Sequence, residues 1–157
     1  MLRFAVVAFL DEVALGAEFD SDALPLHVSL FGAARSDADP DQIVAAVEAA
    51  YASYGPVEAT GGDDETLGAG QVEVTLLDDA DELVEAHLTL VLLLRELGVR
   101  VDDPSTVAGS YRPHVPVAPE ERIDRGERLE LRAIAVLDVA PDGHDGRVVV
   151  LHQFPLI

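Results

Sequence analysis

The chain has 157 residues, 49% of them hydrophobic, which indicates a globular protein with its own core and not a disordered chain. The formal net charge is −20, and all ten basic residues are arginine. No cysteine is present, which excludes a disulfide framework and cysteine-based metal sites.

The negative charge limits which partners the protein can bind. Such a surface repels a polyanion at long range, so we expect no broad nucleic-acid binding at low salt. The net negative charge does not exclude a small basic pocket that holds one phosphate. A high-salt host and a coding bias are two explanations of the composition that remain open, and neither determines the chemistry.

Neither of two apolar segments fits a membrane span or an export signal. Residues 87–97, "HLTLVLLLREL", are too few to span a bilayer and have charge on both sides. The start of the chain has Arg3 before an apolar run, but Asp11 and Glu12 interrupt that run early. We therefore expect a cytoplasmic protein that makes no contact with a membrane.

The first third of the chain predicts two strands and a helix. Residues 2–10 form an apolar, β-branched run typical of a strand, and residues 11–24 form an acidic connection with at most a helical turn. Residues 26–32 alternate and predict a second strand that ends at Gly32. A helix follows, from Asp39-Pro40 to a terminator at Gly55.

The remaining elements continue the same alternation. Residues 56–62 and 70–78 predict a hairpin-like pair around a Gly/Asp-rich turn, and a second helix over 82–98 is capped within Asp78 to Asp81. Residues 111–118 predict a strand, and the chain closes with a hairpin of 128–140 and 147–157 around the turn 141–146.

This order is β-β-α-β-β-α-β-β-β, and each half contains apolar strands, a helix and one strand with Pro close before His. The weak duplication predicts an α+β protein, a single bilobal domain over 1–157. Its two sheet-plus-helix lobes enclose a cleft.

Two histidines lie on strands at matching positions. His27 shares a strand face with Ser29 and Phe31, and His114 shares one with Arg112 and Pro116, because strand residues two apart point the same way. If the lobes face each other, the two histidines converge. One imidazole would then act as a base and the other as an acid on a phosphoester, while Ser29 and Arg112 hold the phosphate oxygens. Spacing alone favours two ordinary half-buried strand histidines, because a His-x-Ser pattern is common by chance.

The other three histidines are interpreted as structural. His87 and Thr89 match a His-x-Thr pattern, but they lie in a predicted helix, where residues two apart point about 200° apart. His144 lies in an acidic turn and His152 in the last strand, so both are assigned to the surface or to packing. No histidine pair has compact metal-ligand spacing, and we predict neither a metal nor another cofactor.

The segments "HVSL" (27–30) and "YRPHVPV" (111–117) resemble the paired His-x-Thr/Ser motifs of the 2H phosphoesterases. This superfamily includes the 2′-5′ RNA ligase-type proteins and the cyclic phosphodiesterases. The helix before the second motif and the closing strand that ends in "FPL" also fit the family's layout, so the resemblance covers nearly the whole chain.

The resemblance implies a bilobal fold with two halves about a pseudo-twofold axis and a central cleft. It implies metal-independent cleavage of a 2′,3′-cyclic phosphate, or chemistry on 2′-5′ linked RNA, with a small nucleotide or an RNA end as substrate. His27 and His114 become the catalytic pair and Ser29 a phosphate ligand, with Arg112 proposed beside it. We expect the protein to be a monomer.

Pro116 departs from the family pattern, because it stands where the second motif has Thr or Ser. Proline has no hydroxyl and no N–H, so a phosphate-oxygen donor is missing. Its presence also suggests that the strand bulges or lies at a sheet edge. Three interpretations follow: a slow or narrowly specific enzyme, a degenerate family member that binds nucleotide or phosphate without turnover, and an α+β interaction domain whose histidines lie far apart.

Overall fold

The computed structural model describes residues 1–157 and contains one antiparallel sheet of ten strands and two α-helices. The strands are β1 Leu2–Phe9, β2 Glu18–Asp20, β3 His27–Ser36, β4 Val57–Leu67, β5 Val72–Asp78, β6 Arg100–Val101, β7 His114–Pro116, β8 Arg128–Leu131, β9 Ala133–Asp138 and β10 Arg147–Pro155. The helices are α1 Pro40–Tyr51 and α2 Asp81–Glu96, and neither has the length and apolar character needed to cross a membrane.

The sheet consists of two halves that meet at one place. Its strand order is β2-β10-β9-β1-β3-β7-β5-β4-β8, with β6 paired to β3. The junction of β3 and β7 is a single residue pair, Ser29 opposite His114. Helix α1 carries the chain from one half to the other, and α2 carries it back. The predicted α+β class with two sheet-plus-helix halves is confirmed.

Alternating residues divide β1 between the two faces of the sheet. Phe4, Val6 and Ala8 belong to the main core, which the helices cover with Leu83, Leu90 and their neighbours. Val7 points to the opposite face and packs in a smaller cluster with residues of β9 and β10. This opposite face also carries Ser29 and His114, and we call it the cleft face.

The start of α1 follows local sequence signals. Asp39 accepts a hydrogen bond from the Asp41 N–H at 2.9 Å, and the Gln42 side chain accepts one from the Asp39 N–H at 3.3 Å. Pro40 occupies the first turn, where its missing N–H costs nothing. The predicted start of this helix is confirmed, but it ends at Tyr51, before Gly55.

Several predicted boundaries are wrong because long-range pairing extends or divides the strands. Strand β3 continues through Gly32 to Ser36, since its second part pairs with β1 and β6. Residues 63–67, predicted as part of a turn, belong to β4, which pairs with β5. The connection 11–24 contains β2, which pairs with β10. Helix α2 has Ala80 as N-cap and no side-chain cap.

The segment 128–140 forms two strands instead of one. Strand β8 pairs with β4 in one half, whereas β9 pairs with β1 and β10 in the other. The chain changes halves at Arg132, whose carbonyl accepts the Leu156 N–H at 2.8 Å. Only β9 and β10 form the predicted closing hairpin.

Gly61 allows the segment 123–127 to approach β4 closely. The Gly61 N–H donates to the Glu127 carbonyl, and the Gly126 N–H donates to the Gly61 carbonyl, both at 2.8 Å. A Cβ atom at position 61 would overlap the Asp124 carbonyl oxygen. The absence of a side chain is therefore required here.

We predict that Gly61→Ala lowers the free energy of unfolding by about 1–3 kcal/mol, because a methyl group forces the backbone at Asp124 to move. Urea unfolding measures the change. Gly55→Ala is the matched control, since its added Cβ meets only ordinary contacts at 3.8 Å. Equal effects of the two substitutions would contradict the steric explanation.

Candidate active site

The junction of β3 and β7 brings together three of the predicted site residues. Ser29 and His114 are opposite partners in the antiparallel pair, so their side chains share the cleft face. His27 lies two residues before Ser29 on the same strand and therefore points to the same face. The two histidines are close enough for the charge of His27 to lower the pKa of His114.

Both imidazoles are held in the same way. Nδ1 of His27 donates to the Pro25 carbonyl at 2.8 Å, and Nδ1 of His114 donates to the Arg112 carbonyl at 2.6 Å. A carbonyl can only accept, so in each neutral ring the proton is on Nδ1 and Nε2 carries the lone pair. Neither Nε2 atom has a hydrogen-bond partner within the protein, and neither is buried away from solvent. Both are therefore available to a ligand.

The environment lowers the pKa of both histidines below the ordinary 6.5. Burial is the main cause in each case, because it disfavours the charged imidazolium. The hydrogen bond to the backbone carbonyl opposes this effect at both rings. At His114 the positive charges of His27 and Arg112 lower the pKa further.

A cavity of about 210 Å³ opens beside Ser29 and His114, and His27 is not among the residues that line it. Ser29, His114, Pro116 and Tyr111 line one part of it, and Asp103 and Thr106 are among its other lining residues. A surface depression of about 280 Å³ elsewhere is lined by Glu58, Asp79 and Arg128 among others and contains no histidine. The smaller cavity is the candidate site, because His114, which suits acid–base chemistry, and Ser29 border it.

Arg112 lies at the rim of the site and not inside the cavity. Its side chain is 52% exposed, and Nη1 is 3.7 Å from Oε2 of Glu65. A half-exposed pair at this distance contributes little stability, so the guanidinium can leave it at small cost. The backbone carbonyl of Arg112, which holds His114, is the part fixed in the site.

Strand β7 is a central strand without a bulge, so the prediction of an edge strand or a bulge is wrong for the strand, although Pro116 itself is paired only on the β5 side. Strand β7 has β3 on one side and β5 on the other, with Pro116 opposite Val74. The Leu77 N–H donates to the Pro113 carbonyl at 2.9 Å, and the Val117 N–H donates to the Glu73 carbonyl at 3.0 Å.

In the segment 113–117, the odd-numbered residues therefore form their backbone hydrogen bonds with β5. The nitrogen of Pro116 consequently faces β3. Continuing the Ser29–His114 register by two residues sets Pro116 opposite His27. Because Pro116 has no N–H to donate there, the pairing of β3 with β7 stops at Ser29 and His114. The structure accommodates the proline where the two halves of the sheet separate.

A β-bulge changes the face on which Phe31 lies. The register of β1 against β3 shifts between Val6–Phe31 and Val7–Ser29. Leu30 and Phe31 consequently both enter the core, and Phe31 stacks on Phe4 with ring centroids 6.1 Å apart. The prediction that Phe31 shares a face with His27 and Ser29 is wrong for this reason.

The remaining histidines lie away from the cleft face. His87 is fully buried on α2, and Thr89 donates to the Glu85 carbonyl of the same helix at 3.3 Å. His144 is exposed in the turn before β10, and Nε2 of His152 lies 2.6 Å from the Glu48 carboxylate. The chain contains no group of three or more His, Asp or Glu side chains arranged to hold a metal ion.

Sequence reasoning missed the cavity walls beyond the two motifs. Asp103 and Thr106 come from the segment before β7, and no motif identifies them. Tyr111 is part of the "YRPH" pattern, but the pattern did not predict its hydrogen bond. Its hydroxyl donates to the Ser29 carbonyl at 2.7 Å. That contact joins residues 82 positions apart, which local patterns do not predict.

No protein-family model and no curated protein sequence matches the chain. Its structure is similar to TT0787 of Thermus thermophilus, with a TM-score of 0.61 and 18% identity over 99% of this chain and 98% of that chain. It is also similar to E. coli LigT complexed with 3′-AMP, with a TM-score of 0.63 and 12% identity over 99% and 98% of the two chains. A protein described as a phosphoesterase gives a TM-score of 0.63 at 13% identity, again over 99% and 98%.

These similarities establish the fold. The chain has the α+β fold of the LigT-like phosphoesterases, over essentially its whole length. The fold that the resemblance to the 2H phosphoesterases implied is thus confirmed.

We predict that His27 and His114 both titrate below pH 6.5, with Nδ1–H as the neutral tautomer, because burial disfavours their charged forms and lowers each pKa. Imidazole ¹⁵N shifts recorded between pH 4 and 8 measure both properties. The folded protein then binds protons less readily than the unfolded chain. The stability contributed by these groups is therefore complete above pH 6.5 and is lost as the pH falls. A titration of either ring above 6.5 would contradict this assignment.

Proposed function

We propose that the chain is a metal-independent phosphodiesterase of the 2H type, which opens a 2′,3′-cyclic phosphate to a 2′-phosphate. The observation that supports it most directly is the matched pair of histidines on one sheet face. Each has Nδ1 fixed by a backbone carbonyl and Nε2 free. Two such groups beside a hydroxyl suit phosphoester cleavage by a base and an acid.

In the proposed reaction, the oxygen of a water molecule attacks phosphorus while Nε2 of one histidine removes a proton from that water. The bond from phosphorus to the 3′ oxygen breaks, and Nε2–H of the other, protonated histidine donates to that oxygen. The products are a 2′-phosphate and a free 3′ hydroxyl. Ser29 donates its hydroxyl hydrogen to a non-bridging oxygen, where negative charge is concentrated.

The local electrostatics favour His114 as the base. Arg112 lowers the pKa of His114 in addition to burial, whereas at His27 burial alone lowers the pKa. The positive charge of Arg112 thus favours the neutral form of His114, and a base must be neutral. His27, as the acid, acquires its proton most readily when the phosphate anion is bound.

A small nucleotide is the substrate that this protein accommodates best. LigT has been solved with 3′-AMP, ATP and NADP⁺, which supports a nucleotide ligand for the same fold. The charge of −20 repels a long RNA at low salt, but a cyclic phosphate carries only one negative charge. An RNA end with a 2′-5′ linkage becomes accessible as salt increases.

The alternative is a degenerate protein that binds nucleotide or phosphate without turnover. Pro116 favours this alternative, because the second phosphate-oxygen donor is absent from its place opposite His27. A third interpretation, an interaction domain with incidental histidines, requires His27 and His114 to lie far apart. Adjacent strands carry them, so that requirement is not met.

We predict that His27→Ala and His114→Ala each reduce kcat/KM for 2′,3′-cyclic AMP by about 100-fold or more, because each removes one proton-transfer group. Hydrolysis is followed by chromatography with and without EDTA, and the activity of the wild type should survive the chelator. His144→Ala is the control, since that histidine is exposed in a turn. Measurable nucleotide binding without turnover would favour the degenerate alternative.

A second prediction concerns the missing donor. Pro116→Thr should raise kcat, by up to about 100-fold, because the hydroxyl can donate to the phosphate beside His27. Pro116→Val is the matched control: it has the shape of Thr and restores the N–H but adds no hydroxyl. Equal activities of the Thr and Val variants would show that the hydroxyl does not limit the reaction.

A further inference from the structure

A buried pair of aromatic rings supports the site from the core side. The rings of His87, on α2, and Tyr111, before β7, stack with centroids 3.9 Å apart and planes 9° apart. Neither residue belongs to the proposed acid–base chemistry. Each, however, bonds to the backbone of β3 at the bulge that follows Ser29.

The hydrogen bonds of His87 fix its tautomer and its position. Nδ1 donates to the Leu30 carbonyl at 2.8 Å, and Nε2 accepts the Ala108 N–H at 2.9 Å. Only a neutral imidazole with its proton on Nδ1 makes both bonds. The Ala108 bond also holds a residue with φ +55°, a left-handed conformation that costs free energy outside glycine.

Tyr111 connects this histidine to both strands of the junction. Its hydroxyl donates to the Ser29 carbonyl at 2.7 Å, and its N–H donates to the Ala108 carbonyl at 3.1 Å. The next residue, Arg112, supplies the carbonyl that holds Nδ1 of His114. Tyr111 is thus the residue next to Arg112, whose carbonyl orients His114, and it is hydrogen-bonded directly to the Ser29 carbonyl.

We infer that His87 and Tyr111 are positioning residues, which fix the distance between Ser29 and His114 through their bonds to the backbone. The β3–β7 junction has only one backbone pair, so strand pairing alone constrains it weakly. The Tyr111 hydroxyl adds a second link between the segment before β7 and β3, and His87 ties that segment and the bulge to α2. This inference rests on the proposed function, for which the spacing of phosphate ligand and acid–base group determines the rate.

The first test compares kcat with KM for 2′,3′-cyclic AMP. Tyr111→Phe keeps the stacked ring and removes only the bond to Ser29, so kcat should fall roughly tenfold with KM changed less than about twofold. Tyr51→Phe is the matched control, since the buried Tyr51 hydroxyl has no partner, and its kcat should equal that of the wild type. A wild-type kcat in Tyr111→Phe would overturn the inference.

Two substitutions at His87 separate its two bonds. Asparagine places an N–H near the position of Nδ1 and keeps the Leu30 bond, whereas glutamine places an oxygen near Nε2 and keeps the Ala108 bond. Both should lower kcat roughly tenfold. Hydrogen exchange at the Ala108 amide should accelerate in His87→Asn but not in His87→Gln. Unchanged kcat in both folded variants contradicts a positioning role.

A readout without turnover separates this inference from the proposed function. The ¹⁵N shifts of His114 report its tautomer in the ligand-free protein. In Tyr111→Phe and His87→Asn, the Nδ1–H fraction of His114 should fall, while Tyr51→Phe leaves it unchanged. If the wild type fails to hydrolyse the substrate but these shifts change, the function is wrong and the positioning role stands. If none of the variants changes the shifts, the positioning role is wrong.

Discussion

One backbone pair, Ser29 opposite His114, joins the two halves of the sheet, and the arrangement of the whole site depends on it. It sets the hydroxyl of one motif beside the imidazole of the other. Extending the same antiparallel register by two residues would set Pro116 across from His27, so that the chemical groups of the two motifs alternate. A slip of one residue at this junction would turn each side chain to the other face of the sheet.

One face of the sheet packs the larger core, and the other carries the candidate active site. The face under α1 and α2 is apolar and contains the larger core, whereas the cleft face is only partly covered, by the smaller cluster around Val7. His27 sits at the edge of that smaller cluster, with its ring centroid 6.0 Å from that of Phe9. Burial at this position lowers the pKa of both histidines, while both Nε2 atoms remain accessible.

Features encoded within a few neighbouring residues could be predicted from the sequence. The capping signals at Asp39 and Pro40 indicated the start of α1, and period-two spacing put His27 and Ser29 on one face. Features that depend on distant partners could not be predicted. Strand β2 exists because β10 pairs with it, and Phe31 enters the core because β3 has an extra residue against β1. The central position of Pro116 depends in the same way on how β5 and β3 flank it.

The carbonyls that orient the two histidines belong to residues two positions earlier, Pro25 and Arg112. Since the acceptor is part of the main chain, no side-chain replacement at either position deletes it. Each three-residue segment therefore carries its own main-chain acceptor for the Nδ1–H tautomer of its ring. Mutational drift can alter the charge and shape of the site around these segments without deleting either acceptor.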